Sequence, residues 1–371
     1  MSRLRELERF GQSVWIDYIR RSLLTDGGLE RLVREDGIKG LTSNPAIFEK
    51  AIGSGAEYRE ALASAGAAGD DPGAVYERIA IEDIRLAADR MRPGFEASGG
   101  RDGFVSLEVS PRLAHDSDGT VSEAQRLWRA VDRPNLMVKV PATQAGLPAI
   151  ERLIAEGLNI NVTLLFAVPM YAEVAQAWLR GLERRVAAGR PVDTVNSVAS
   201  FFVSRIDTHI DGVLEQRAAA STAARERLLA LRGRAAIANA KLAYRHFLEL
   251  TAGERWRRLA GRGAPVQRLL WASTSTKNPD YPDTLYVDEL IGPDTVNTMP
   301  PATLDAFRDH GRPDATLVRD LDRAGEPLAA LEREGISIDA VTAVLLDDGV
   351  RLFAEAFDRL MTAVSRAREA A

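Results

Sequence analysis

Lys139 stands in the run LMVKVPAT (136–143), with Met137, Val138 and Val140 around it and Pro141 closing the segment. The run reads as a buried strand, and a cation there needs a reason. The chain holds five lysines, Lys39, Lys50, Lys139, Lys241 and Lys277, among its 48 basic residues, and arginine supplies the rest. An amine differs from a guanidinium in that it readily loses its proton and can then attack carbon. The alternative is a lysine whose stem packs while its head reaches water. Burial among apolar neighbours disfavours the ammonium form. A neutral amine attacks a ketone to give a Schiff base, and the protonated imine stabilises negative charge on the adjacent carbon. Such chemistry makes or breaks carbon–carbon bonds without calling on a metal. It needs proton carriers, and Glu108 and Asp17 are the carboxylates whose positions suit the task.

Side chains two apart on a strand share a face. In the run holding Lys139, Leu136, Val138 and Val140 then oppose Met137 and Lys139. In the next, Ile160, Val162 and Leu164 oppose Asn159, Asn161 and Thr163; in the one before, Glu108 and Ser106 oppose Leu107 and Val109. Ser200 and Phe202 share a face further on, Asp17 ends the first run and Asn44 the second. One buried Asn or Thr is more often a hydrogen-bonded structural group than a catalytic one. Six successive strands that end polar on the same face are a site. Asn44, Asn161, Thr163 and Ser200 would hold hydroxyl groups and water, a lining suited to a sugar rather than a lipid.

The elements that must position these groups are short runs rich in β-branched and aromatic residues. They cover 13–17, 38–44, 104–109, 136–141, 159–165, 196–203, 268–274 and 295–299, and helical patterns separate them. Alternation of strand and helix implies a parallel sheet with helices outside it. Eight strands over roughly 300 residues predict an α/β fold, a (β/α)8 TIM barrel with extra helices, in which all carboxyl strand ends meet at one rim. The rival with the same alternation is an open doubly wound sheet. Two helical patterns within 54–100 and a long loop over 277–294 read as insertions. The tail carries Val350, Phe353, Phe357, Leu360, Met361 and Val364 on one face of a helix over 347–368, which must dock on something. No long linker or repeat divides the chain, so a single domain over 1–371 is expected.

Other chemistries find less support. With no cysteine there is no thiolate catalysis or disulfide framework. His115, His209, His246 and His310 make no HExxH pair or close cluster, and neither a Walker loop nor a GxGxxG is present. DSDGT (116–120) reads as a turn, and RLLALRGR (227–234) as the solvated face of a helix. A net charge of −5 gives no nucleic-acid footprint. The amino terminus is charged throughout, and the longest apolar run, LLFAVPMYA, is far short of the ~20 residues needed to cross a bilayer. A cytoplasmic protein with no membrane partner is expected. Arg205, in SRIDTH, opens a helix just past the sixth strand, where an arginine and free backbone N–H groups can hold a phosphate.

At these residues the chain resembles a transaldolase, of the longer type found in actinobacteria and cyanobacteria. The likeness is carried by WIDYIRR (15–21), GLTSNPAIFEKAI (40–52), VSLEVSPRLAHD (105–116), LMVKVPAT (136–143), GLNINVTLLF (157–166) and SVASFFVSRID (197–207). The resemblance implies a Schiff-base aldolase barrel whose carboxyl-terminal helix packs near the mouth. It also implies transfer of a dihydroxyacetone unit from sedoheptulose 7-phosphate to glyceraldehyde 3-phosphate, without a cofactor, in the non-oxidative pentose phosphate pathway. Lys139 falls on the family's Schiff-base lysine, Glu108 and Thr163 on the groups that handle the catalytic water, and Asp17 on the acid/base carboxylate. Asn44, Asn161 and Ser200 match the groups that hold bound dihydroxyacetone. Phe202 stands where related fructose 6-phosphate aldolases carry tyrosine, which favours transfer over cleavage. Arg205 matches a phosphate-binding arginine. A second arginine of shorter transaldolases has no match in WASTSTKNPDYPD (271–283), and Lys277 is the residue that would replace it. A monomer or homodimer is expected.

Overall fold

In a computed structural model, which describes residues 2–68 and 71–369, eight parallel strands close on one another in sequence order. They are β1 (Gln12–Asp17), β2 (Gly40–Thr42), β3 (Phe104–Glu108), β4 (Leu136–Pro141), β5 (Ile160–Leu165), β6 (Ser197–Phe202), β7 (Arg268–Ala272) and β8 (Thr295–Met299). The predicted runs thus hold, with β2 cut to three residues. Asn44 leaves that strand because its side chain caps the next helix, Pro45–Ser54, by accepting from Ile47 N–H at 3.1 Å. β1 pairs with both β2 and β8, so no edge is left for an open sheet. The barrel is the architecture, and the doubly wound rival falls.

Strand register aligns the polar ends. Glu108 stands beside Lys139, Lys139 beside Asn161, Pro141 beside Thr163, and Asp17 beside Thr42. At the opposite end of the barrel Arg268 closes the interior. It donates to Asp102 Oδ1 at 2.9 Å and to Ser13 Oγ at 2.8 Å, and the Arg268–Asp102 pair is nearly fully buried. The two ends are therefore divided between structural and candidate chemical roles, as is usual for such barrels.

The 54–100 region supplies the helices Arg59–Ala68 and Pro72–Ala97 between β2 and β3. The 277–294 loop includes a short helical turn, Leu285–Asp288, and is tied down by two tyrosines. Tyr281 and Tyr286 donate their hydroxyls to Asp211 and Asp207 of the Ser204–Ala220 helix at 2.6 and 3.0 Å. DSDGT is not a free turn but the start of the Ser117–Val131 helix, with Asp116 as its cap. RLLALRGR is helical only at its beginning, through Leu229. The carboxyl-terminal helix runs over Ile338–Glu369, beginning nine residues before the expected 347. Its first turns, rich in β-branched residues, have weak helical preference. Burial of Val341 and Leu345 against the body holds them helical all the same. Among the described residues no helix is long and apolar enough to cross a membrane.

Candidate active site

Lys139 is 5% exposed, and its Nζ donates to the Ser43 carbonyl at 3.0 Å and stands 3.4 Å from Glu108 Oε2. It lines a cavity of about 200 Å³ at the carboxyl ends of the strands. Asp17, Asn44, Thr163 and Ser200 line the same cavity, and so do Phe202, Arg205 and Lys277. Eight of the ten predicted residues therefore meet in one space. Asn161 lies just beneath it. Its Nδ2 donates to Ser106 Oγ at 3.1 Å, and its Oδ1 accepts from Ser200 Oγ at 2.6 Å. Asn161 therefore sets the direction of the Ser200 hydroxyl. Glu108 lies behind Lys139, on the wall of a separate cavity.

Burial raises the pKa of both carboxylates. For Glu108 desolvation dominates over the attraction of Lys139, and the charge of Asp17 pushes in the same upward direction. Asp17 is likewise raised by burial, against the opposing pull of Lys139 and of its hydrogen bond from Thr42. That hydrogen bond is 2.6 Å long, and Thr42 Oγ1 is also 2.7 Å from Thr298 Oγ1. A hydroxyl has one proton to give. Since Thr42 donates to Asp17, Thr298 donates to Thr42, and the chain of hydroxyls pins Asp17 Oδ1. Thr163 Oγ1 is buried with no hydrogen-bond partner among the described residues, so its hydroxyl has capacity for a bound group or water.

Backbone strain marks two positions beside this set. Leu164, next to Thr163, has φ 61°, and Ser273, on the cavity wall, has φ 55°. Left-handed backbone at a residue other than glycine costs of order 1–3 kcal/mol and persists where its surroundings hold it. At Leu164 the β5–β6 register shifts between Val162 and Leu165. The carboxyl-terminal helix presses there: a Cβ added at Gly349 would lie 3.0 Å from Leu164 Cδ2. Four residues on, Phe353 roofs the cavity, its ring centroid 6.0 Å from Lys139 Nζ.

The rim is cationic. The Arg205 guanidinium lies 5.3 Å from the Phe202 ring centroid, and burial lowers its pKa while Asp348 opposes that shift. The Lys277 pKa is lowered by burial and then by the charges of Arg205 and Lys50. Three cations from separate loops and helices thus share one electrostatic neighbourhood. Lys50, Thr42, Thr298 and Phe353 are not among the site residues expected from sequence, although Phe353 is on the tail-helix face expected to dock. The rule of polar residues late in a strand would have found both threonines. Lys50 and Phe353 sit on helices, where only the folded chain brings them to the mouth.

A larger cavity, about 710 Å³, lies at the other end of the strands beside Gln12, Ser13 and Gly103. Its lysine and arginine charges at Lys39 and Arg90 are already paired with Glu8 and Glu30, and none of the predicted residues reaches it. The smaller, polar cavity is the better candidate for chemistry.

A family profile described as Transaldolase/Fructose-6-phosphate aldolase matches residues 14–364. The chain belongs to that family. Transaldolase 2 of Nostoc sp. is 45% identical to it, over 98% of this chain and 97% of the relative. The transaldolase of Parafrankia sp. is 49% identical over 97% and 96%. That of Thiobacillus denitrificans is 47% identical over 98% and 100%. Such likeness over nearly full length makes this an enzyme of the transaldolase type. The geometry at the carboxyl strand ends is in keeping with transaldolase chemistry.

Proposed function

We propose that the enzyme moves a dihydroxyacetone unit from sedoheptulose 7-phosphate to glyceraldehyde 3-phosphate through a Schiff base on Lys139. The products are erythrose 4-phosphate and fructose 6-phosphate. One observation carries this reading: a nearly buried amine opens on a polar cavity while a carboxylate of raised pKa stands 3.4 Å behind it.

The nitrogen lone pair of Lys139 adds to C2 of the ketose while a proton passes to the carbonyl oxygen, giving a carbinolamine. Glu108 in its acid form gives a proton to the departing hydroxyl, water leaves, and the nitrogen lone pair forms the C=N bond. Asp17 then takes the proton of the C4 hydroxyl. The C3–C4 bond breaks, its electron pair runs into the protonated imine, and an enamine of dihydroxyacetone stays on the lysine. The four-carbon aldose leaves, the three-carbon aldehyde takes its place, and the enamine carbon attacks it while Asp17 returns the proton. Water, oriented by Glu108 and the unpartnered Thr163 hydroxyl, hydrolyses the new imine. In this reading Asn44 and Ser200, which line the cavity, bind the hydroxyls of the three-carbon unit, with the Ser200 hydroxyl held by Asn161. Arg205, with Lys277 and Lys50 near it, supports a phosphate site at the rim, and charge-assisted hydrogen bonds suit that group.

Borohydride reduction in the presence of fructose 6-phosphate should leave a three-carbon adduct on the peptide that carries Lys139. Full trapping in Lys139→Ala would sink the assignment. Release of free dihydroxyacetone at the full rate without an aldehyde acceptor would make the enzyme a lyase instead. Binding of sugar phosphate with no adduct under reductant would leave only a binding barrel.

A further inference from the structure

Glu108 stands on a partition. On one side is the cavity that Lys139 lines; on the other, and lined by Glu108 itself, is a second cavity, also of about 200 Å³. The carboxyl-terminal helix roofs both. Phe353 faces the first and Phe357, one turn later, faces the second. The outer rim of the second cavity is the pair Arg126–Glu77, whose Nη2–Oε2 contact is 2.6 Å and whose side chains are 48% and 34% exposed. Its inner wall is buried, at Ala80, Leu107 and Val109. It is thus a pocket that opens to solvent at one end and reaches Glu108 at the other.

The chemistry of its wall selects what can occupy it. Three carboxylates, Glu77, Glu108 and Glu123, line it against one arginine. Glu123 accepts from Ser110 N–H at 2.8 Å and has its pKa raised by burial. The Tyr76 phenol is pushed upward by burial and by the three nearby carboxylates, so it stays protonated and can donate. A narrow pocket lined by carboxyls and hydroxyls, its one arginine already paired with Glu77, gives a phosphate ester little to bind and gives water both donors and acceptors. At ~30 Å³ for each molecule in the liquid, it has room for roughly half a dozen waters.

Such an exchange would serve the mechanism. Each turnover releases one water when the carbinolamine dehydrates and consumes one when the imine is hydrolysed. In both steps Glu108 is the group that gives or takes the proton, and meanwhile a phosphosugar occupies the mouth. We propose that the second cavity is a water and proton passage serving Glu108, separate from the path taken by the sugars. The proposal rests on the Lys139 imine described above.

The absence of cysteine from the chain allows a direct test. Glu77→Cys places a single thiol at the rim, and the exposed ion pair it removes is worth little. Methanethiosulfonates of increasing bulk, from methyl to benzyl, then narrow the passage reversibly. The methyl form should turn over like the unlabelled variant. The benzyl form should lose about ten-fold or more in kcat, roughly 1.4 kcal/mol of barrier. Its sugar KM should stay unchanged, and dithiothreitol should restore the rate. Arg126→Cys, on the same rim, gives the second route if the first variant folds poorly. Unchanged kcat with the bulkiest label, while borohydride still traps the adduct on Lys139, overturns the passage alone. So does a raised KM with unchanged kcat. Failure to trap an adduct in any form, unlabelled protein included, overturns the imine reading beneath it.

Discussion

Glu108 Oε2 and Lys139 Nζ face each other at 3.4 Å from paired positions on β3 and β4, with 7% and 6% of their side chains exposed. Two ionisable groups held so close and so dry each lose a partner's support if the other is replaced. Glu108→Gln keeps the shape and removes the proton carrier. General acid–base help of this kind is worth about 10²–10⁴-fold, so kcat should fall by that order. Borohydride trapping at short times should slow with it, because dehydration to the imine is the step affected.

Asp17→Asn should behave differently. It leaves the imine-forming pair intact and disables the carbon–carbon step. Trapping of intact fructose 6-phosphate on Lys139 should persist, while transfer to an aldehyde falls by about 10²–10⁴-fold. Equal loss of both in a well-folded variant would mean that Asp17 acts before cleavage.

Arg205→Ala should raise KM for phosphorylated ketoses by roughly 10–100-fold, the value of one or two hydrogen bonds to a charged group. KM for unphosphorylated fructose should not move. Arg205→Lys restores charge without the two-pronged geometry and should recover only part of the loss.

Gly349 tests the roof. A leucine there has to displace Leu164, whose Cδ2 would lie only 3.0 Å from the first added carbon. Overpacking of this kind costs about 1–3 kcal/mol. If the helix relieves it by lifting, Phe353 moves off Lys139 and the backbone beside Thr163 relaxes. Gly349→Leu should then lower kcat/KM about ten-fold or more, with the unfolding midpoint lowered by no more than the few degrees that overpacking implies. Unchanged kinetics would show that the roof does not position the site.

Asp207 makes a prediction about stability. Burial, with Asp211 nearby, pushes its carboxyl up to about 6, although it accepts from Ala236 N–H and Tyr286. A carboxyl whose folded pKa exceeds its unfolded value binds its proton more tightly when folded. Its contribution is therefore fully present below about pH 4 and is lost as pH rises through 6. The loss amounts to about 3 kcal/mol. Urea midpoints of the parent and Asp207→Asn should diverge over that window, with the parent weakening relative to the variant. Parallel curves from pH 4 to 7 would count against it.

Much was legible in the sequence because strand periodicity is a local property. Alternation along each run put Asp17, Lys139, Thr163 and Ser200 on one face, and the count of eight strands favoured a barrel over an open sheet, which the β1–β8 pairing then decided. The start of the carboxyl-terminal helix was not legible, since residues 338–346 are helical through contacts with distant residues and against their own preference. Nor were the roles of Lys50 and Phe353, which depend on where helices end in space.

The sequence by itself determined the eight alternating strands and their chemistry-bearing side chains, because side-chain direction in a strand follows from backbone geometry alone. Only the tertiary structure decided which of those side chains share a cavity. It set Asn161 beneath Ser200 and Glu108 behind Lys139, because depth in the barrel depends on strand register and on the helices that roof it. Alternation along a single strand carries no information about either.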